Sequence, residues 1–152
     1  MSRVRSAAKT ASRPVVIDTP LLLRALLCTD EQAQALRRGW QDGRWLPRVS
    51  PDSATRLMTA LAFPRFGLSL AQRQELLADF LPYAQALRPA TPKSGRGSAP
   101  TPAHADLLAL ALEGETAELI SHDALLTQWL ARSRSADIKR VGLRRLEEFL
   151  AL

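Results

Sequence analysis

The run Pro14-Val15-Val16-Ile17, closed by Asp18, constrains the fold more than any other stretch of the chain. It is apolar, β-branched and too short for a helix, the pattern of a parallel strand buried on both faces. A helix follows at once: Thr19 reads as its N-cap, Pro20 as its first residue, and Leu21 to Leu27 is apolar nearly all round. The alternation continues. Asp30 to Gln41 reads as a helix capped by Asp30 or Thr29 and closed by Asp42-Gly43, and Trp45 to Val49 as a strand. Ser50-Pro51-Asp52 opens a helix through about Leu61. Ser69 to Leu81 is amphipathic, with Leu70, Leu77, Phe80 and Leu81 near one face. Asp106 to Leu112 reads as an apolar helix, Ala117 to Ser121 as a strand and Asp123 to Ala131 as a helix. Ile138 to Val141 reads as a last strand and Arg144 to Leu152 as a closing helix. Strands alternating with helices predict an α/β fold in three layers, with a short parallel central sheet covered on both faces. Function in such sheets gathers at the carboxyl ends of strands, where Asp18 and Asp123 both fall.

With 152 residues the chain is sized for one domain, large enough for a real core. No apolar run approaches the roughly 18 residues of a membrane span, so a membrane partner is not expected. The net charge of +6 suits a polyanionic partner, and it is unevenly placed. Residues 1–13 carry Arg3, Arg5, Lys9 and Arg13 without an acid, and residues 88–104 carry Arg88, Lys93 and Arg96, again without one. These stretches exceed the whole chain's net charge, so the remainder is near neutral. Residues 1–13 read as a basic flexible tail. Residues 88–103, rich in Pro, Gly, Ser and Thr, read as a flexible basic loop. Arg3, Arg5, Lys9, Arg13, Lys93 and Arg96 are the candidate RNA-phosphate contacts, with a merely solvated tail as the plainer alternative.

The single cysteine, Cys28, excludes an internal disulfide and reads as a buried packing thiol in an apolar helical run. The N-terminus lacks the apolar core of a secretory signal. Arginine outnumbers lysine 18 to 3, the bias of a GC-rich bacterial genome, so the expected compartment is the bacterial cytoplasm. No Walker loop, GxGxxG, Cys/His zinc pattern or serine-hydrolase elbow is present.

Several motifs in order carry a family resemblance. They are Val15-Val16-Ile17-Asp18-Thr19 before Leu21-Leu22-Leu23; Asp42-Gly43-Arg44-Trp45 running into Val49-Ser50-Pro51; Phe63-Pro64-Arg65-Phe66-Gly67-Leu68-Ser69; Leu107 to Leu112; and Leu119-Ile120-Ser121-His122-Asp123. Over residues 14–152 the chain resembles PIN-domain proteins, in particular the toxin components of bacterial toxin–antitoxin pairs. The resemblance implies a three-layer α/β/α fold and a Mg²⁺- or Mn²⁺-dependent endoribonuclease. In such an enzyme acids from separate elements hold an ion that lowers the pKa of a bound water and offsets phosphate charge. It also implies an antitoxin-like partner, and a homodimer is a further expectation.

The resemblance breaks at the acids. Asp18 stands at the first acid position, with Thr19 as the neighbouring hydroxyl, and Asp123 at the fourth, behind Ser121. The second position holds Arg56 and the third His104, while Pro20 and Leu125 stand where Asn and a further acid are usual. Asp52, one helical turn before Arg56, and Asp106, two residues past His104, are candidate replacements. Asp52 has an N-terminal helix position to explain it, and Asp106 should point elsewhere, about 200° round the helix from His104.

Two close carboxylates raise each other's pKa, and a guanidinium can replace the metal that offsets them. Arg56 is therefore expected to pair with Asp18 or Asp123 unless it is simply solvated. His104 reads as a loop or cap histidine, a general acid–base or a ligand for a softer ion such as Zn²⁺. His122 should point away from Asp123. Trp40, Trp45 and Trp129 suit packing better than base stacking.

Three functions follow: a PIN-like protein with lost or strongly reduced nuclease activity that still binds RNA or an antitoxin-like partner; a working Mg²⁺- or Mn²⁺-dependent endoribonuclease with an unconventional acid set; and a non-catalytic interaction module.

Overall fold

A computed structural model describes residues 12–89 and 99–151. Five strands, β1 (Arg13–Ile17), β2 (Trp45–Val49), β3 (Gln85–Ala86), β4 (Glu118–Ile120) and β5 (Gly142–Arg144), form one sheet in the order β3-β2-β1-β4-β5. Every pairing is parallel. The helices are α1 (Thr19–Leu27), α2 (Glu31–Gln41), α3 (Pro51–Leu61), α4 (Leu70–Ala78), α5 (Pro102–Leu112), α6 (Ala124–Arg132), α7 (Ala136–Lys139) and α8 (Leu146–Leu150).

The period of two in β1 builds the layers. Val15 and Ile17 point to one face, with Ile120 of β4, and pack under Leu22 and Leu26 of α1, Leu36 and Trp40 of α2, Leu57 and Leu61 of α3 and Phe149 of α8. Val16 and Leu119 point to the other face and meet Leu107, Leu108 and Leu110 of α5 and Leu126 of α6. The result is the three-layer α/β/α architecture with a short parallel central sheet that the sequence predicts. Among the described residues no helix is long and apolar enough to cross a membrane.

Two buried side chains lock the layers. The Trp45 ring lies on the backbone of Gly39 in α2, and its indole Nε1 donates to the Leu36 carbonyl at 3.0 Å. Arg48 of β2, 7% exposed, donates to the carbonyl of Leu110 (2.8 Å) in the last turn of α5 and to that of Glu115 (2.6 Å) in the loop just past it. A cation there satisfies orphan carbonyls and complements the negative end of the helix. Burial pushes its pKa below the ordinary arginine value, opposed by the charges of Glu115 and Glu113.

Several local expectations need correction. Asp18, not Thr19, caps α1, its carboxylate accepting from the Thr19 amide. Helix α5 begins at Pro102, inside the expected loop, because Thr101 caps it. Residues 136–139 are helical, and the last strand is 142–144, since Ser135 caps a short turn before it. Cys28 is exposed, because it is the C-cap residue of α1 and not part of its apolar face. Leu70, the first residue of α4, is 62% exposed. Arg13 belongs to β1, where it pairs with Glu118 and lies 4.5 Å over the Phe149 ring, so it is not part of a free arm. Arg3, Arg5, Lys9, Lys93 and Arg96 lie outside the described residues.

Candidate functional site

The chain leaves β1 for β2 and β3 on one side, then returns to place β4 and β5 on the other. The order therefore reverses between β1 and β4, where an open parallel sheet forms a crevice at the strands' carboxyl ends. Asp18 and Ser121 are the first residues beyond those two ends, and the Asp18 amide donates to the Ile120 carbonyl at 3.0 Å.

Ser121, 1% exposed, joins Asp18 and Asp123. Its hydroxyl donates to Asp18 Oδ2 at 2.7 Å and accepts from the Asp123 amide at 3.0 Å. Asp18 Oδ1 accepts from the Thr19 amide at 2.9 Å, so both of its carboxylate oxygens are engaged. Asp123 is the N-cap of α6, and its Oδ1 accepts from the Leu126 amide at 3.0 Å. Its other oxygen lies 3.3 Å from His104 Nε2. The Leu126 amide holds the Asp123 carboxyl below the usual range against an opposing effect of burial, and the His104 ring adds to the shift.

His104 sits in the first turn of α5, 6% exposed, with its amide bound to Thr101 Oγ1 at 3.2 Å. Its Nδ1 is buried without a partner. Such an atom is costly when it must carry a proton, so the arrangement suits the tautomer with the proton on Nε2, facing Asp123. His104 is thus a buried partner of Asp123 and not a solvated loop residue.

Arg56 does not pair with Asp18 or Asp123. It donates to Asp106 Oδ2 at 2.9 Å, and the same oxygen accepts from Ser50 Oγ at 2.8 Å. Ser50 is the N-cap of α3, beyond the end of β2, and forms a capping box with Ser53. Asp106 is therefore part of this edge of the molecule after all, its side chain only 12% exposed. The helical angle from His104 did turn it elsewhere, toward α3 instead of solvent. Asp52 is exposed in the first turn of α3 and stays outside the cluster.

The other candidates are structural. The His122 Nε2 accepts from the Leu146 amide at 3.0 Å, which turns the ring toward α8 and away from Asp123. Trp40 packs edge-on against Phe80, and Trp45 against Phe149. Trp129 packs partly buried in the second core.

The lowered pKa of Asp123 has a measurable consequence. A carboxyl with a depressed folded-state pKa contributes stability above the unfolded value, and this is lost as pH falls through the folded value, below about pH 4. Asparagine caps a helix equally well, so Asp123→Asn removes the charge and keeps the cap. Thermal melts from pH 6 to pH 3 should show a shallower acid loss in Asp123→Asn than in the wild type. The difference is small, because the side chain is 36% exposed.

The edge thus collects three carboxylates, Asp18, Asp106 and Asp123, with one guanidinium and one imidazole among them. Among the described residues no group of three or more His, Cys, Asp or Glu is placed to hold a metal ion. No protein-family model, curated protein or solved structure matches the chain.

Proposed function

We propose that this chain is a PIN-type, ribonuclease-like protein of toxin–antitoxin descent whose metal-dependent cleavage is lost or strongly reduced, and which acts by binding RNA or an antitoxin-like partner. One observation carries the reading: where the resemblance calls for two acids the chain has Arg56 and His104, and each is paired with an acid, Asp106 and Asp123. In a metal-dependent site the ion offsets the mutual repulsion of the carboxylates and takes up their lone pairs. Here the Arg56 guanidinium offsets the charge of Asp106, and the neutral His104 imidazole lies against Asp123. Both oxygens of Asp18 already accept hydrogen bonds, and Asp123 is committed to a cap and to His104. Mg²⁺ demands near-ideal octahedral oxygen coordination, and this donor set does not fit it. Ser121 and the two caps hold the acids in place without an ion.

A second reading, a working Mg²⁺- or Mn²⁺-dependent endoribonuclease, has Asp106 in its favour, since that residue brings a third carboxylate to the edge. Calorimetric titration with Mn²⁺ separates the two. The wild type should show no tight binding. Arg56→Glu combined with His104→Asp should gain affinity and a Mn²⁺-dependent rise in melting temperature. Tight Mn²⁺ binding by the wild type, abolished by Asp18→Ala, would sink the first reading. RNA binding is checked by titration of single-stranded RNA at several salt concentrations, where phosphate contacts give a steep loss of affinity.

A further inference from the structure

The segment Phe63-Pro64-Arg65-Phe66-Gly67 is a tight turn between α3 and α4. The Phe66 amide donates to the Phe63 carbonyl at 3.1 Å, and the Gly67 amide to the Pro64 carbonyl at 3.0 Å. Gly67 closes the turn at φ 60°, a conformation that favours glycine. The turn leaves Phe63 57% and Phe66 37% exposed, although a core is close by. The two rings, with Leu23 of α1 and Ala60 of α3, wall an open groove of about 520 Å³. Arg65, Arg56 and the threonines 19, 55 and 59 complete the lining, which contains no carboxylate.

The two cations differ. Asp106 offsets the charge of Arg56. Arg65 lies on the exposed turn with no hydrogen-bond or ion-pair partner among the described residues. The groove therefore offers aromatic rings and almost wholly apolar walls, with the uncompensated Arg65 guanidinium on the turn that bounds it. Its volume lies within the range of about 300–1,000 Å³ usual for small-ligand sites. A flat ring that carries an anionic group answers the aromatic and apolar walls and the charge at their rim. A nucleotide has that chemistry: its base stacks on aromatic side chains whatever its identity, and its phosphate takes charge-assisted bonds from arginine.

We propose that this groove binds one nucleotide, with its base against Phe63 and Phe66 and its phosphate on Arg65. Thr19 lies in the groove wall next to Asp18, so the site adjoins the acidic cluster. The ligand is a free mononucleotide or one unpaired residue of an RNA strand, and only in the second case does the inference rest on the RNA-binding reading above.

The test uses the full chain with AMP, with an oligoadenylate and with inorganic phosphate, by calorimetry and by amide NMR shifts. AMP or the oligoadenylate should perturb the amides of Leu23, Thr59, Phe63 and Phe66. Phe63→Leu and Phe66→Leu, at exposed positions, should keep the wild-type melting temperature and weaken binding about 5- to 100-fold each. Arg65→Gln should weaken it too and lower the log–log salt slope of the oligoadenylate by about one. Binding of AMP identifies a free nucleotide as a sufficient ligand; binding of the oligoadenylate alone identifies an RNA strand as the source.

RNA binding that ignores all three substitutions would overturn the groove and leave the RNA-binding reading standing. Binding of neither ligand, or of inorganic phosphate as tightly as AMP, would overturn it as well. So would a dimer dispersed by Phe66→Ser in a chain that binds no nucleotide. Metal-dependent cleavage with a binding loss in Phe66→Leu would instead leave the groove standing and remove the proposed loss of activity.

Discussion

Gly39→Ala is expected to be among the most damaging single substitutions in this chain. A Cβ on residue 39 would lie 1.8 Å from Cζ2 of Trp45 and 1.9 Å from its Cε2. The ring has nowhere to go. It is 7% exposed, its Nε1 is tied to the Leu36 carbonyl, and Phe149 stands edge-on at 5.0 Å. Alanine is the better helix former by about 1 kcal/mol, but relief of the clash requires α2 and β2 to move apart. Overpacking of a well-packed core costs about 1–3 kcal/mol and occasionally more, and an overlap this deep with an immobile ring belongs at the upper end or beyond. Urea denaturation should show a net loss of about 3 kcal/mol or a chain that does not fold. Trp45→Leu in the same background should recover part of the loss, because a smaller side chain makes room for the new methyl group.

Arg48→Met is expected to have an effect of similar size. From inside the molecule the guanidinium satisfies the carbonyl of Leu110, in the last turn of α5, and that of Glu115, in the loop just past it. Methionine fills much of the volume but donates nothing, and a buried acceptor left unpaired costs about 1–3 kcal/mol. The loss of a favourable charge at the helix C-terminus adds up to about 2 kcal/mol. Denaturant titration should therefore show a loss of about 3 kcal/mol. Lysine at the same position restores the charge but not the fork that reaches several carbonyls, so Arg48→Lys should recover only part of it. The functional consequence is local. Helix α5 carries His104 and Asp106 to the acidic edge, and Ser50 and α3 follow directly on β2, so the Arg48 clasp joins the two elements whose far ends meet in the Arg56–Asp106 pair.

The layered architecture was legible because its strands are short apolar runs and its helices begin at cap residues. Val15 to Ile17 could be nothing but a buried strand, and Ser50-Pro51 opened a helix where the structure has one. The weaker elements escaped. Strand β3 is two exposed residues, Gln85 and Ala86, held to β2 by register and not by any β-branched pattern. Strand β5 is Gly-Leu-Arg, less strand-like by composition than the Ile138-to-Val141 segment that precedes it, whose first two residues close the short helix α7. At the site, Asp18, Ser121 and Asp123 were legible as strand-end residues, since position at a strand terminus is a local property. The partners of Arg56 and His104 were not, because each pair crosses between elements far apart in the chain. Helical periodicity gave the direction of Asp106 away from His104 but carried no information on what stands there. That is α3, whose N-cap Ser50 and whose Arg56 share one oxygen of Asp106.

The proposed function holds that Arg56 offsets the charge of Asp106 and that the His104 imidazole occupies Asp123, in place of a metal, and that cleavage is correspondingly lost or strongly reduced. The most direct measurement is the rate of cleavage of single-stranded and structured RNA by the full chain with Mg²⁺ or Mn²⁺, beside the same reactions with chelator and with Asp18→Ala. The wild type is expected to stay at or near the rate of both controls. Rapid cleavage by the wild type that the chelator and Asp18→Ala both abolish would contradict the proposed function.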